Sequence, residues 1–316
     1  MIETIDWIKP EIIQDLDQLH QKDNSKAILS IIFYIILLST TGYGSYYYLN
    51  DGNYSIGLIF LFLHGSFYSF LGWSGIGHEL IHRTVFKNLF LNQVFLKLFA
   101  FLTWNNHIYF EESHKRHHQY TLFNNLDQEI IMPLFITKKD WLFLLTFNFP
   151  TFYKTLKALI QNSFGKINGA WGLKLFEKDE LKRKKLFNVA RMILIGHSLL
   201  FLIFVLYEHY ELIFIITLAP FIANWLNRIL GISQHIGMST NTSDFRLNST
   251  TIRLNWFLSR LYSNMNYHIE HHLYPNVPFY NLPVLSDHIK SFLPHPIVGI
   301  LNVFKYVFKK SKENRL

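Results

Sequence analysis

Cysteine is absent from this chain of 316 residues. Its absence excludes disulfide bonds, thiolate-ligated haem, iron–sulfur clusters and zinc sites built on cysteine. A redox metal would therefore have to be bound by histidine, aspartate, glutamate or asparagine. Histidine is plentiful, with 16 copies, so the positions of the histidines carry most of the information about function.

Charged residues are also scarce, at 16% of the chain against 50% for hydrophobic residues. The hydrophobic residues are gathered into long blocks, which is not typical of a soluble core. A helix needs about 20 apolar residues to cross about 30 Å of hydrocarbon, and four blocks reach that length. We expect these blocks to form two transmembrane hairpins. The predicted spans are residues 27–48, 55–77, 186–207 and 212–230.

Lysine and arginine are missing from the links of the two hairpins, residues 50–54 and 208–211. Basic residues favour the cytoplasmic side of a membrane. We therefore expect an integral multi-pass membrane protein whose N-terminus, central segment and C-terminus face the cytoplasm. The basic run at residues 182–185 is interpreted as a topology anchor, and no nucleic-acid partner is expected.

Two further apolar stretches, residues 86–104 and 134–160, are interrupted by polar and charged residues. Such stretches favour helices that lie in the membrane interface. Residues 1–26 have apolar residues at helical spacing, which predicts a short amphipathic helix and is not typical of a signal peptide. Together these patterns predict an all-α fold. Residues 1–316 would form one membrane domain, with four transmembrane helices in two hairpins and a cytosolic helical cap that carries a metal site.

Three clusters of histidine stand beside the predicted spans. Residues at i, i+3 and i+4 share a helical face, so each cluster can direct two or three imidazoles at one point. Random placement predicts about 0.04 triplets with this spacing, whereas the chain has two. Eight imidazoles are too many for one ion, so two ions are expected, although imidazole suits iron, zinc, copper and nickel alike. The clusters are His78 and His82, then His114, His117 and His118, and then His268, His271 and His272.

These three histidine boxes, and their order relative to the hairpins, resemble the membrane fatty-acid desaturase superfamily. The resemblance covers residues 55–290 and includes the stretch NMNYHIEHHLYPNVP at residues 264–278. It implies that the histidines bind two ferrous ions at the cytosolic face. It also implies a ninth ligand before the third box, and His235 occupies that place. Because the third box begins with His268 rather than glutamine, and no cytochrome domain is fused, the front-end subgroup is not favoured.

Four carboxylates lie close to the boxes. Glu79 and Glu270 stand inside boxes but away from the histidine face. We expect them to accept hydrogen bonds from ring N–H groups rather than to bind metal. Asp127 and Glu129 follow the second box and are candidates for the same role.

Three polar residues each have two interpretations. Asn227 lies eight residues before His235, on roughly the same helical face, and either holds a metal-bound water or has a capping or packing role. His107 is either a group behind the ligands or, as we expect, a surface or interfacial residue. His197 lies within the third span, where we favour a neutral packing role over contact with a substrate tunnel.

The resemblance implies an oxidoreductase that uses O2 as co-substrate to desaturate a long acyl chain, carried as a lipid or an acyl thioester. Electrons would come from an external donor, either a ferredoxin or a b-type cytochrome with its reductase, because the chain has no cysteine for a cluster. The alternative is a hydroxylase or ketolase of an acyl, alkane or carotenoid chain with the same di-iron centre. A metal transporter is disfavoured because its ligands would line the spans near the mid-plane.

Overall fold

The structure is a computed structural model and describes residues 16–315. Within that range the chain is mostly helical, in agreement with the predicted all-α class. The predicted N-terminal amphipathic helix lies largely in residues 1–15, outside the described residues. Two short strands, β1 (Ile252–Arg253) and β2 (Ile297–Val298), pair in parallel. The helices are α1 (Leu16–Leu19), α2 (Asn24–Asn50), α3 (Tyr54–Tyr68), α4 (Ile76–Ile81), α5 (Leu89–Leu102), α6 (His107–Gln119), α7 (Lys138–Leu145), α8 (Phe149–Ser163), α9 (Gly169–Phe176), α10 (Glu180–Leu206), α11 (Trp225–Ser233), α12 (Phe245–Asn248), α13 (Trp256–Leu261), α14 (His268–Leu273), α15 (Leu282–Ile289) and α16 (Ile300–Glu313).

Among residues 16–315, three helical segments are long and apolar enough to cross a membrane, and they contain the first two predicted spans and all but the last residue of the third. These segments are Leu16–Asn50, Tyr54–Ile81 and Glu180–Leu206. Helix α2 begins after Asp23, whose carboxylate accepts hydrogen bonds from backbone N–H groups of the first turn. Helices α2 and α3 pack against each other as the predicted hairpin. Most of the apolar window of α10 is not buried within the protein, as a helix that faces lipid requires.

The fourth predicted span, residues 212–230, is not one continuous helix. Its backbone forms a π-helical turn at Ile213–Thr217 and a 3₁₀ turn at Ala219–Phe221, and α11 begins only at Trp225. Pro220 has no backbone N–H and so cannot continue the helical hydrogen-bond pattern. Hydropathy alone therefore predicted a longer regular helix than this sequence forms.

Backbone groups of the link between α7 and α8 form hydrogen bonds with the irregular segment around this break. The N–H of Ala223 donates to the carbonyl of Thr146 at 2.7 Å, and the N–H of Asn148 donates to the carbonyl of Phe221 at 2.7 Å. Irregular backbone at membrane depth is tolerated where protein surrounds it. The break thus fits a membrane protein, and it allows the short helix α11 to lead directly to His235.

The two interrupted apolar stretches form helices, as the sequence predicts. Helix α5 occupies the first stretch, and α7 and α8 occupy the second. Helix α8 leaves Phe149, Tyr153 and Ile160 exposed while Leu159 is buried, an arrangement suited to the membrane interface. A large core of buried apolar side chains joins the membrane helices to the short helices that follow α10, and so it positions the elements that carry the histidine boxes.

Candidate metal centre

The elements that carry the histidine boxes converge on one place. Helix α4 carries His78 and ends just before His82, α6 carries the second box, α14 carries the third, and His235 lies two residues after α11. All nine predicted ligands come together there, in two groups whose ligand atoms lie within 4.8 Å of one another. The first group is His78, His82, His114, His118 and His271, and the second is His117, His235, His268 and His272.

The two triple boxes divide between the groups in a regular way. In α6, His114 and His118 belong to the first group, whereas His117 belongs to the second. In α14 the order is reversed, because the outer histidines belong to the second group and the middle one, His271, belongs to the first. With about 100° between successive residues, the residue at i+4 lies about 40° to one side of residue i, and the residue at i+3 lies about 60° to the other side. Each of these helices therefore lies between the two groups and contributes to both.

The ring nitrogens in each group are spaced as ligands of a single ion would be. Nε2 of His114 lies 3.2 Å from Nε2 of His82 and 2.9 Å from Nε2 of His118. In the second group, the Nε2 atoms of His268 and His235 are 2.9 Å apart. Metal–imidazole bonds of about 2.1 Å place neighbouring ligand atoms about 3 Å apart. The spacing thus fits one ion in each group.

His78 provides a separate sign of a metal site. Its Nε2 is buried and has no hydrogen-bond partner among residues 16–315, which is costly for a polar atom unless a ligand satisfies it. The other nitrogen, Nδ1, lies 3.0 Å from Oε1 of Glu79. Together with a donor set made entirely of imidazoles, which suits transition metals, the residues present fit a pair of such ions.

Carboxylates behind the histidines orient their rings. Nδ1 of His117 lies 2.8 Å from Oδ2 of Asp127, and Nδ1 of His114 lies 2.8 Å from Oε1 of Glu129. A ring that donates from Nδ1 to a carboxylate presents the Nε2 lone pair to the metal. The predicted supporting role of these two acids is confirmed by these contacts. The contact of Glu79 with His78 likewise matches the prediction for Glu79.

Glu270 does not support a histidine, and this part of the prediction is wrong. Its carboxylate accepts hydrogen bonds from the hydroxyl groups of Thr251, at 2.5 Å, and of Ser286. Helix α14 turns this side chain away from its histidines and towards the segment before β1 and helix α15. The bonds to Glu270 instead fix α14 against its neighbours.

The electrostatic surroundings keep most of the imidazoles in the form that binds metal. Burial lowers the pKa of His82 to about 4 and the pKa of His235 to about 3, so both rings are neutral at pH 7. For His117, burial disfavours the charged ring, but the hydrogen bond and charge of Asp127 outweigh it and raise the pKa. Asp127 therefore gives the His117 ring more basic character than the other ligands have.

A cavity of about 250 Å³ adjoins both groups. Its wall includes His78 and His114 from the first group and His235 from the second. Trp73 also lines it and stacks on Phe110, with ring centroids 4.4 Å apart. A molecule in this cavity would lie beside both candidate metal positions.

The structure bears on the two interpretations of each of the three polar residues Asn227, His197 and His107. The side-chain amide of Asn227 donates to the carbonyl oxygens of the turn before α4, which favours its packing role. His197 stacks on Trp104 at 4.2 Å and donates from Nε2 to the carbonyl of Phe101, so its packing role is confirmed. His107, expected to be a surface or interfacial residue, is buried at the start of α6, so it does not lie on the protein surface.

Sequence reasoning missed two groups that orient candidate ligands. Nδ1 of His235 donates to the backbone carbonyl of Asn248 at 2.8 Å, and Nδ1 of His272 lies 3.2 Å from Oγ1 of Thr121. A backbone carbonyl leaves no trace in residue identity, so no sequence signal could have identified the first contact. Thr121 lies three residues after the second box, and that proximity is the only signal that could have found it.

Comparison with known protein families gives one match. The model of the family described as "Fatty acid desaturase" matches residues 54–300, a range that contains all nine histidines. No curated protein matches the chain. The family match covers most of the sequence, and it joins the histidine boxes and the apolar helices in a single assignment: the chain belongs to the fatty acid desaturase family.

Proposed function

We propose that the protein is an O2-dependent fatty acid desaturase of lipid metabolism that uses two iron ions. Membership of the fatty acid desaturase family supports this proposal. The observation that carries it is the division of nine imidazoles into groups of five and four. Groups of this size suit two six-coordinate ions that keep positions open for O2. The group of five would hold one iron and the group of four the other.

Two bound ferrous ions would supply the activation of O2 and the removal of hydrogen from an unactivated C–H bond. In one cycle the acyl chain loses two hydrogen atoms from adjacent methylenes. A donor supplies two electrons, solvent supplies two protons, and O2 is reduced to two molecules of water. The donor would be a ferredoxin or a b-type cytochrome with its reductase, since the chain has no cysteine for a cluster of its own.

The chain's own residues hold the ligands and position the substrate. Asp127 and Glu129 fix the rings of His117 and His114. The cavity beside both groups is the place for the reacting methylenes, because it adjoins each candidate metal position. Its apolar lining residues are Trp73, Phe110, Ile130, Leu134 and Ile232.

The same site supports a second outcome. If oxygen were transferred to the carbon after removal of the first hydrogen, the product would be an alcohol rather than an alkene, and a second such oxidation at the same carbon, with loss of water, would give a ketone. An acyl, alkane or carotenoid chain would then be the substrate of a hydroxylase or ketolase. The two outcomes differ in whether a second C–H bond reaches the oxidant.

We also propose that residues 1–316 form one membrane domain whose termini and histidine boxes face the cytoplasm. The hairpin link between α2 and α3 contains no basic residue, whereas Lys182, Arg183, Lys184 and Lys185 lie in the first turns of α10. This asymmetry supports the orientation, because basic residues favour the cytoplasmic side. The iron centre would then be accessible to a soluble cytoplasmic donor.

The test is product analysis in a host that expresses the chain and receives a perdeuterated long-chain fatty acid. Desaturation removes two deuterium atoms, whereas hydroxylation adds one oxygen atom and retains the neighbouring deuterium. The control is His288→Ala, which removes an exposed histidine outside the two groups. We expect wild type and this control to form the same alkene. Absence of both products with a competent donor present would contradict the proposal.

A further inference from the structure

The broken segment before α11 deprives three consecutive backbone carbonyls of the donors that a regular helix would supply. At α-helical spacing the carbonyl of Ile216 would receive the N–H of Pro220, and at π-helical spacing the carbonyl of Ile215 would receive it. Pro220 has no N–H to give. The N–H of Phe221, which is the α-helical donor to Thr217, instead bonds three residues back at 3.0 Å. Residues 215–217 therefore need other donors.

Three buried side chains donate hydrogen bonds to these three carbonyls, one to each. The pairs are His64 Nε2 with Ile215, at 2.9 Å, Tyr68 Oη with Ile216, at 3.1 Å, and Trp104 Nε1 with Thr217, at 2.7 Å. None of the three donor side chains is more than 7% exposed. An unsatisfied carbonyl at membrane depth costs several kcal/mol, so these side chains stabilise the break where backbone donors are missing.

The donors come from different parts of the fold. His64 and Tyr68 lie four residues apart in α3, so they share a helical face and meet consecutive carbonyls. Because a carbonyl oxygen only accepts, the ring proton of His64 is on Nε2, and Nδ1 lies 2.9 Å from Oγ1 of Thr41 in α2. Trp104 follows the end of α5 and leads to α6. The broken segment is thus tied both to the first hairpin and to the chain that carries the second box.

We propose that His64, Tyr68 and Trp104 are positioning residues of the metal centre, because they hold the broken segment in the arrangement that places His235. Helix α11 follows the break, and its nine residues lead to His235. A helix is stiff over this length, so a shift at its start is carried to its end. Loss of one donor would then draw His235 away from the second group and leave three imidazoles there. This inference rests on the proposed binding of one ion by each histidine group.

The test measures binding of Co²⁺ to the full-length protein in detergent, after its iron has been removed by chelation. Imidazole binds Co²⁺ as it binds iron, and the visible spectrum of Co²⁺ reports how many ligands surround it. The variants, each made alone and combined with His235→Ala, are His64→Leu, Tyr68→Phe and Trp104→Phe.

Two further variants serve as controls. His64→Gln keeps an N–H donor near the place of the histidine Nε2, so it should restore the contact with the carbonyl of Ile215. Ser45→Ala removes a different buried hydrogen bond of the first hairpin, in which the Ser45 hydroxyl donates to the carbonyl of Gly57 at 3.2 Å. Both controls should bind two Co²⁺ ions with the wild-type spectrum.

We expect His64→Leu, Tyr68→Phe and Trp104→Phe each to weaken one of the two Co²⁺ sites about 10-fold and to change its spectrum, as removal of groups that orient ligands does. If the effect passes through His235, the same changes cause no further loss once His235 is alanine. General destabilisation would instead weaken binding equally with and without His235.

The proposal is overturned if the three variants bind both Co²⁺ ions as wild type does, or if their losses are as large beside His235→Ala as alone. If His64→Leu does not insert into the membrane, Tyr68→Phe, which removes only a hydroxyl group, decides by the same comparison. Failure of the wild-type protein to bind Co²⁺ would contradict the metal centre itself, whereas unchanged variants would contradict only this inference.

Discussion

Asp127 connects the second box to the loop that follows it. One carboxylate oxygen, Oδ2, receives the ring N–H of His117 and the backbone N–H of Leu122, and the other accepts the backbone N–H of Glu129. A single acid therefore fixes a histidine of the second group and positions the acid that contacts His114 in the first. A carboxylate that orients a metal-binding histidine through a hydrogen bond affects the affinity for the metal, although the carboxylate itself does not bind the metal.

We expect Asp127→Asn to lower metal affinity and turnover by about 10- to 100-fold, because the amide keeps the shape but loses the charge that polarises His117. Iron content after dialysis against a weak chelator, measured beside donor-dependent O2 consumption, checks this. Asp51→Asn changes an exposed acid in the hairpin link and serves as the control. Equal iron retention in the two variants would show that Asp127 has no part in orienting the ligand.

Because one group has five histidines and the other has four, removal of a histidine should affect metal binding in the two groups unequally. His271→Ala leaves four imidazoles in the first group, whereas His117→Ala leaves three in the second. Both variants should lose activity, and His117→Ala should lose more iron because fewer ligands remain. Mass spectrometry of total iron per chain, with membrane insertion verified, distinguishes them. Two irons and normal turnover in either variant would refute its assignment as a ligand.

At the scale of elements, the broken segment before α11 depends on close approach of two backbones. Gly65 in α3 lies against Ile222, and a Cβ built at Gly65 would lie 2.3 Å from the carbonyl oxygen of Ile222. The neighbour is backbone rather than a flexible side chain, so it cannot move aside alone. The glycine thus allows the irregular segment to pack where a regular helix was predicted.

We expect Gly65→Ala to destabilise the protein by about 1–3 kcal/mol, the usual cost of overpacking. It should also lower iron retention, since displacement of Ile222 moves the start of α11 and with it His235. Thermal unfolding in detergent measures the first effect. Gly44→Ala is the comparison, because its Cβ meets the ring of the partly exposed Phe60, which can rotate away. A smaller loss of stability for Gly65→Ala than for Gly44→Ala would contradict this account.

Sequence patterns predicted that the nine histidines converge, but they did not predict how the histidines divide between two groups. The spacing His114, His117 and His118 is a local property of one helix, and it was read correctly as convergent imidazoles. The division of that box between two groups depends on how α6 packs between α4 and α14. The partners of Glu270 were missed for the same reason, because Thr251 and Ser286 reach it only through tertiary packing.

At the scale of the whole molecule, the positions of the basic residues relative to the apolar helices are the basis of the proposed orientation in the membrane. The link between α2 and α3 and the start of α10 should lie on opposite sides. The absence of cysteine makes this directly testable, since single cysteines can be introduced without background. Asp51 and Lys185 are both exposed and make no ion pair within residues 16–315.

We expect Lys185→Cys to react with an impermeant thiol reagent only after the membrane is opened, as a cytoplasmic position would. Asp51→Cys should react in intact cells or, for an internal membrane, only when the lumen is opened. Labelling of the two positions from the same side would contradict the proposed topology and, with it, the cytoplasmic location of the metal centre.

The central claim is that two irons occupy the two histidine groups and are needed for the reaction. It is tested most directly by counting iron per chain in active, ⁵⁷Fe-loaded protein, with Mössbauer spectra recorded before and after addition of electrons and O2. We predict two irons per chain, both of which change state during turnover. Full turnover by protein with one iron or none would contradict the account.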